Sequence, residues 1–178
     1  RENLIIGAWG EESVSYGTAS ATLGTVQDAT LGREVWRLGG GTGTLNVNFK
    51  LTGDADLLIG NEWSGGTVHL TNTANDFTGD IFIQGVGNKL TYEDGALGNA
   101  KVLITYGNAL AINSAEQLDI VKSSSAGVLA LATNGNLDLT GANVSLGANG
   151  DYTYTGSLTV DAEQGYRFGG SGNLTNSF

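Results

Sequence analysis

The residues that could do chemistry are few: one histidine, 18 carboxylates, eight lysines and arginines, and no cysteine. His69 lies between Val68 and Leu70, so on a strand that buries those two it points outward, as a solvated surface histidine. A serine-protease triad would need this histidine beside a nucleophilic serine and an orienting carboxylate, and no Gly-x-Ser-x-Gly elbow occurs. The carboxylates fall in pairs: Asp54 and Asp56, Asp76 and Asp80, Glu93 and Asp94, Asp161 and Glu163. β-Helical polysaccharide lyases and hydrolases use such clusters to hold calcium or to transfer protons. Here every pair lies near a predicted turn, where Asp commonly bonds local backbone. No run matches a calcium-binding nonapeptide or an EF-hand loop. No catalytic residue, metal site or cofactor is therefore assigned.

Trp9, Trp36, Trp63, Tyr16 and Tyr106 could together form a sugar-stacking face, since aromatic planes with polar rims suit carbohydrate. Core filling and turn packing are the commoner fates of such residues, so ligand-binding residues stay open. Asn143-Val144-Ser145 and Asn173-Leu174-Thr175 match the N-glycosylation pattern and are given no function.

The elements that would position these groups are short strands. The 178 residues include 29 glycines and no Pro, Cys or Met, a composition suited to many strands joined by turns with positive φ. Without disulfides, stability must come from apolar burial and backbone pairing. The net charge of −10 repels phosphate backbones and anionic lipid, so nucleic acid is not an expected partner. The chain begins at Arg1 with no signal-peptide pattern and no apolar run of membrane-spanning length, and reads as a fragment of a longer parent.

From Leu45 onward, apolar residues come in pairs two positions apart. They begin with Leu45 and Val47, Leu57 and Ile59, Val68 and Leu70, Ile81 and Ile83, Leu90 and Tyr92, Val102 and Ile104, Leu110 and Ile112, and Leu118 and Ile120. The series continues with Leu129 and Leu131, Leu137 and Leu139, Val144 and Leu146, Tyr152 and Tyr154, and Leu158 and Val160. Each pair predicts a strand with one buried face. Recurrence at roughly 20 residues suggests stacked coils sharing one core, about eight of them. A β-sandwich serves the same periodicity, with Asn134-Gly135 and Asn149-Gly150 as hairpin turns. Residues 1–40 are less regular and read as diverged coils or an end cap, with coils proper over 41–178.

Residues 65–110 carry a more specific order of motifs. Gly66-Thr67-Val68-His69-Leu70-Thr71 is followed by Asn75-Asp76-Phe77-Thr78-Gly79, then Ile81 and Ile83, then Asp94-Gly95-Ala96-Leu97-Gly98, and Val102-Leu103-Ile104. This order resembles the passenger-associated transport repeat, or autotransporter-associated β-strand repeat, with Asp80 standing where a second glycine is usual. The stretch from Ser157 to Val160 and from Gly165 to Thr175 also looks like coil sequence of such passengers.

The resemblance implies a right-handed parallel β-helix, secreted or held at the surface of a Gram-negative bacterium. It implies export through the parent's own outer-membrane β-barrel translocator, with host-cell surfaces or neighbouring passengers as further partners. The motif residues Asn75, Phe77, Thr78, Gly79, Gly95, Ala96, Leu97 and Gly98 are expected to be structural. Phe77 should enter the core at a corner, Asn75 should bond neighbouring backbone, and Gly79 should adopt a turn conformation that a β-carbon would oppose. Ala96 and Leu97 should plug a second corner. The function expected is a structural, non-enzymatic segment supporting folding-coupled secretion and surface display or adhesion. A carbohydrate- or cell-binding module and, less favoured, a β-helical polysaccharide-active enzyme are the alternatives.

Overall fold

Parallel pairing between strands one turn apart organises the chain, in a computed structural model that describes residues 4–177. Sheet I contains β1 (Ser13–Tyr16), β4 (Thr44–Val47), β6 (Thr67–Leu70), β8 (Lys89–Tyr92), β10 (Ala109–Ile112), β11 (Val128–Leu131) and β13 (Ser145–Ala148). Sheet II contains β2 (Val26–Asp28), β3 (Arg33–Leu38), β5 (Asp56–Ile59), β7 (Ile81–Ile83) and β9 (Val102–Ile104). The last turns add two parallel pairs, β12 (Leu137–Asp138) with β15 (Leu158–Thr159) and β14 (Asp151–Tyr154) with β16 (Asn173–Asn176). The chain passes from sheet I to sheet II and back, which makes it a β-solenoid.

The two-residue period is the reason these segments are strands. In β4, β6 and β8 the second and fourth residues are buried and the others half-exposed. The register then stacks like on like. Leu45, Val68, Leu90, Leu110, Leu129 and Leu146 form one column, each at most 2% exposed. Leu38, Ile59, Ile83 and Ile104 form a matching column in sheet II. The interval between neighbours in the first column shortens at every step, from Leu45 and Val68 to Leu129 and Leu146.

Several expectations are corrected. Every ladder but that of β2 with β3 is parallel, which rules out the sandwich. β13 and β14 are separated by Asn149-Gly150 alone, yet β13 pairs with β11 and β14 with β16, so the dipeptide turns a corner instead of closing a hairpin. Asn134-Gly135 likewise lies in a connection, where Asn134 Oδ1 accepts from the Thr155 amide one turn later. Sheet I has seven strands, one per turn, against the eight coils predicted. The first circuit is the longest, because residues 23–32 turn aside into β2 before β3 begins. Leu118 and Ile120 belong to a 3₁₀ helix (Ala115–Ile120), whose N-terminus is fixed by Gln117 Oε1 accepting from the Ser114 and Asn113 amides.

The irregular N-terminal part already contains coil strands, since β1 pairs in parallel with β4 and β3 with β5. Between them, β2 folds back antiparallel onto β3 and covers the edge of sheet II, an edge that would otherwise offer unpaired backbone. Asp28 locks this flap: its carboxylate accepts from the Thr30 and Leu31 amides at 2.8 and 2.9 Å and pairs with Arg37. Trp36 donates from Nε1 to the Leu23 carbonyl and ties the flap's base.

The Leu31 amide, aided by the Thr30 amide and Arg37, outweighs the effect of burial and holds the Asp28 carboxyl below its ordinary value of 3.8. A carboxyl depressed on folding stabilises above its unfolded pKa, and that contribution is lost as pH falls through the folded one. Wild type should therefore melt above Asp28→Asn at neutral pH, with the gap closing below about pH 4. Thermal unfolding across pH checks this, and a gap independent of pH would refute it.

Candidate functional site

Asn75, Phe77, Thr78 and Gly79 form a single corner with Gly95-Ala96-Leu97-Gly98, built from three successive turns between sheet I and sheet II. Asn75 is 7% exposed, and its Oδ1 accepts from the Leu51 amide below at 2.8 Å while its Nδ2 donates to the Ala96 carbonyl above at 2.7 Å. One amide thus clamps the turn before and the turn after. Phe77 is fully buried and meets Trp36 edge-on, with ring centroids 5.7 Å apart. Asp76 and Thr78 donate their amides to the Leu51 and Gly53 carbonyls, extending the ladder through the corner.

The Gly95-Ala96-Leu97-Gly98 segment sits on the next turn, directly over this one. The Asn99 amide donates to the Phe77 carbonyl, and Ala96 and Leu97 are buried in the shared core. Gly95 and Gly98 have φ of 88° and 58°, values that favour glycine. Gly79 is corrected: its φ is not in that region, and glycine is needed because a β-carbon would lie 1.9 Å from the Ala55 carbonyl oxygen. The constraint is close stacking of backbones, which a single-coil reading could not reveal.

The groups singled out for chemistry are mostly occupied. His69 points outward on β6, and its Nδ1 shares a hydrogen bond with Thr91 Oγ1 at 2.9 Å while Nε2 lies 3.3 Å from Glu93. It is bridged between turns, not free in solvent. Asp56, 1% exposed, pairs with Arg33 at 2.9 Å and accepts from the Asp80 amide. Asp80 pairs with Lys122, whose ammonium also lies 5.4 Å from the Phe82 ring centroid. Lys50 pairs with Asp76 at 2.7 Å and holds its carboxyl below the ordinary range. Asp161 accepts from the Gly141 amide, while Asp54, Asp94 and Glu163 are exposed. Among the described residues no three His, Asp or Glu side chains are placed to hold a metal ion.

The opposite corner, where sheet II returns to sheet I, holds the feature best suited to a ligand. Trp9, Trp63 and Tyr106 are 82%, 88% and 87% exposed. Each lies in this corner: Trp9 ahead of β1, Trp63 between β5 and β6, Tyr106 between β9 and β10. Trp36 and Tyr16 are elsewhere, the first in the core and the second against Phe49. Three of the five aromatics grouped from sequence therefore share one edge.

Beside them runs a groove of about 610 Å3 across the starts of β6, β8, β10, β11 and β13. Gly65 and Gly66 are forced by close stacking, since a β-carbon on Gly65 would lie 2.2 Å from the Gly87 carbonyl and one on Gly66 2.3 Å from that of Gly41. With no side chains there, the corner is left hollow. No carboxylate lines it, although the chain carries 18. Lys89 is the cation on its wall, donating to Asn149 Oδ1 at 3.0 Å, with burial pushing its ammonium pKa down. Beneath, Asn88 and Asn108 are each 1% exposed and stack, the Asn88 amide donating to Asn108 Oδ1. Asn88 Oδ1 is a buried acceptor with no partner.

This groove was missed in the sequence. Its signal is positional: glycines recur at 39–41, 43, 60, 65–66, 85, 87, 107 and 127, always before a sheet I strand. Among known proteins, no family model matches the chain, and no curated protein or solved structure is significantly similar to it.

Replacing Asn75 with Ala leaves the Leu51 amide and the Ala96 carbonyl buried without partners. Asn75→Ala should cost at least about 2 kcal/mol, read by chemical denaturation. A loss under about 0.5 kcal/mol, the range of ordinary surface substitutions, would show that the clamp does not hold the turns together.

Proposed function

We propose that this chain is a structural segment of a secreted bacterial passenger, exported through its parent's outer-membrane β-barrel and held at the cell surface to display an adhesive region. The observation that carries this reading is that each turn pairs with the turn before it and the turn after it, in an unbroken parallel register from β1 to β13. Such a fold can be added one coil at a time. Every coil that docks buries apolar side chains, as Val68, Leu70, Ile81 and Ile83 do, and takes up the open backbone of the last coil. Burial on the outer side would then draw unfolded chain outward with no nucleotide hydrolysis. The Asn75 clamp supports the same reading, because it joins three consecutive turns across the transport-repeat match.

A carbohydrate- or cell-binding role is a second reading, favoured by the exposed Trp9, Trp63 and Tyr106 along one corner.

Surface exposure of a passenger carrying this segment fused to its translocator, with and without residues 65–110 at matched expression, tests the export reading. Deletion should cause a large fall, and Phe77→Ala should slow surface appearance. Equal exposure in both would overturn it in favour of a passive spacer.

A further inference from the structure

We propose that the groove at the glycine corner binds an extended, uncharged polysaccharide, with Tyr106 and Trp63 as stacking platforms beside it. This deepens the carbohydrate-binding reading and is independent of the export reading.

The shape selects a linear occupant. The groove runs across the starts of five consecutive sheet I strands, and strands in a sheet are spaced by about 4.8 Å, so it extends roughly 20 Å along the stacking direction. Its middle is shallow-sided, because Ala109 stands between Thr67 and Lys89 on one side and Val128 and Ser145 on the other in the same outward register.

The chemistry selects a sugar. A peptide that docks by strand addition needs an unpaired strand edge, and here β6, β8, β10 and β11 are paired on both sides, while β13, last in the sheet, is bridged at Leu146 by Phe168. What the groove offers instead is hydroxyls and flat rings. The Thr67 and Ser145 hydroxyls are not engaged by any described residue. Tyr106 stands at the rim with its ring in solvent, and Trp63 is two residues from Gly65 on the lining. Aromatic faces with neighbouring hydroxyls match the apolar face and polar edge of a pyranose ring.

Charge selects a neutral chain. A net charge of −10 repels a polyanion at long range, and the groove's one cation, Lys89, is already held by Asn149. The absence of carboxylates from the lining removes the groups that would favour a cationic ligand.

Titration calorimetry of the folded chain with glucose-, mannose-, xylose- and N-acetylglucosamine-based oligosaccharides tests this, alongside an oligogalacturonate and a proline-rich peptide. At least one neutral oligosaccharide should bind. Tyr106→Ala should weaken it roughly tenfold, Ala109→Trp should abolish binding by filling the groove, and Leu31→Ala, exposed on the flap, should leave it unchanged. Thermal unfolding of each variant confirms that the fold is kept. Binding that is unaffected by both groove substitutions overturns the proposal. Binding of only the oligogalacturonate or only the peptide overturns the neutral-sugar assignment while keeping a binding groove. No binding by any probe overturns both this inference and the carbohydrate-binding reading.

Discussion

A parallel strand has open backbone on both sides until neighbours arrive, and the whole structure follows from meeting that demand turn after turn. In a solenoid the partner of each strand is the equivalent strand one circuit later, so the chain must retrace nearly the same path each time. Side chains then fall into columns whether or not they suit one another. The Leu45 to Leu146 column shows the suitable outcome, apolar throughout and sealed from solvent. The corners are harder, because backbone must bend there and still remain paired to the turn above and below.

The chain meets that difficulty in two ways. On the Asn75 side, polar side chains stand in for missing ladder bonds: Asn75 reaches up and down, and Asn72 reaches the Asn48 and Ala19 carbonyls. On the opposite side, glycines let successive backbones approach without side chains between them, and the stacked Asn88 and Asn108 complete the pairing from inside. The first solution fills its corner with Phe77, Ala96 and Leu97. The second leaves a hollow. The same stacking constraint that makes one corner a structural joint thus leaves the other open to a ligand.

Much of the fold was legible because apolar alternation reports directly on burial: nine of the thirteen residue pairs read from Leu45 onward lie wholly on strands, while Leu139, Val144 and Val160 fall just outside the strands of their partners. Leu118 and Ile120 failed because a two-residue spacing is also met in one turn of helix, and the Ser114 to Gln117 capping signal was the evidence to weigh against it. Asn149-Gly150 misled because hairpin turn chemistry and corner chemistry use the same residues. Gly79 and the groove were invisible for a common reason: they depend on what lies one turn away, and the distance in sequence to that neighbour is not constant. The motif residues Asn75 and Phe77 were readable one by one, but their joining of three turns was not.

That variable distance has its own meaning. The intervals along the Leu45 column shorten toward Leu146, but those along the Leu38 column do not, and the step from Leu146 to Phe168 lengthens again. The storeys thus differ in perimeter without tapering. A cylinder of equal coils has interchangeable storeys, whereas storeys of unequal perimeter are each fitted to their own neighbours. A storey moved elsewhere in the stack would carry surplus or missing backbone around the same column, and its corner glycines and asparagines would no longer lie over their counterparts.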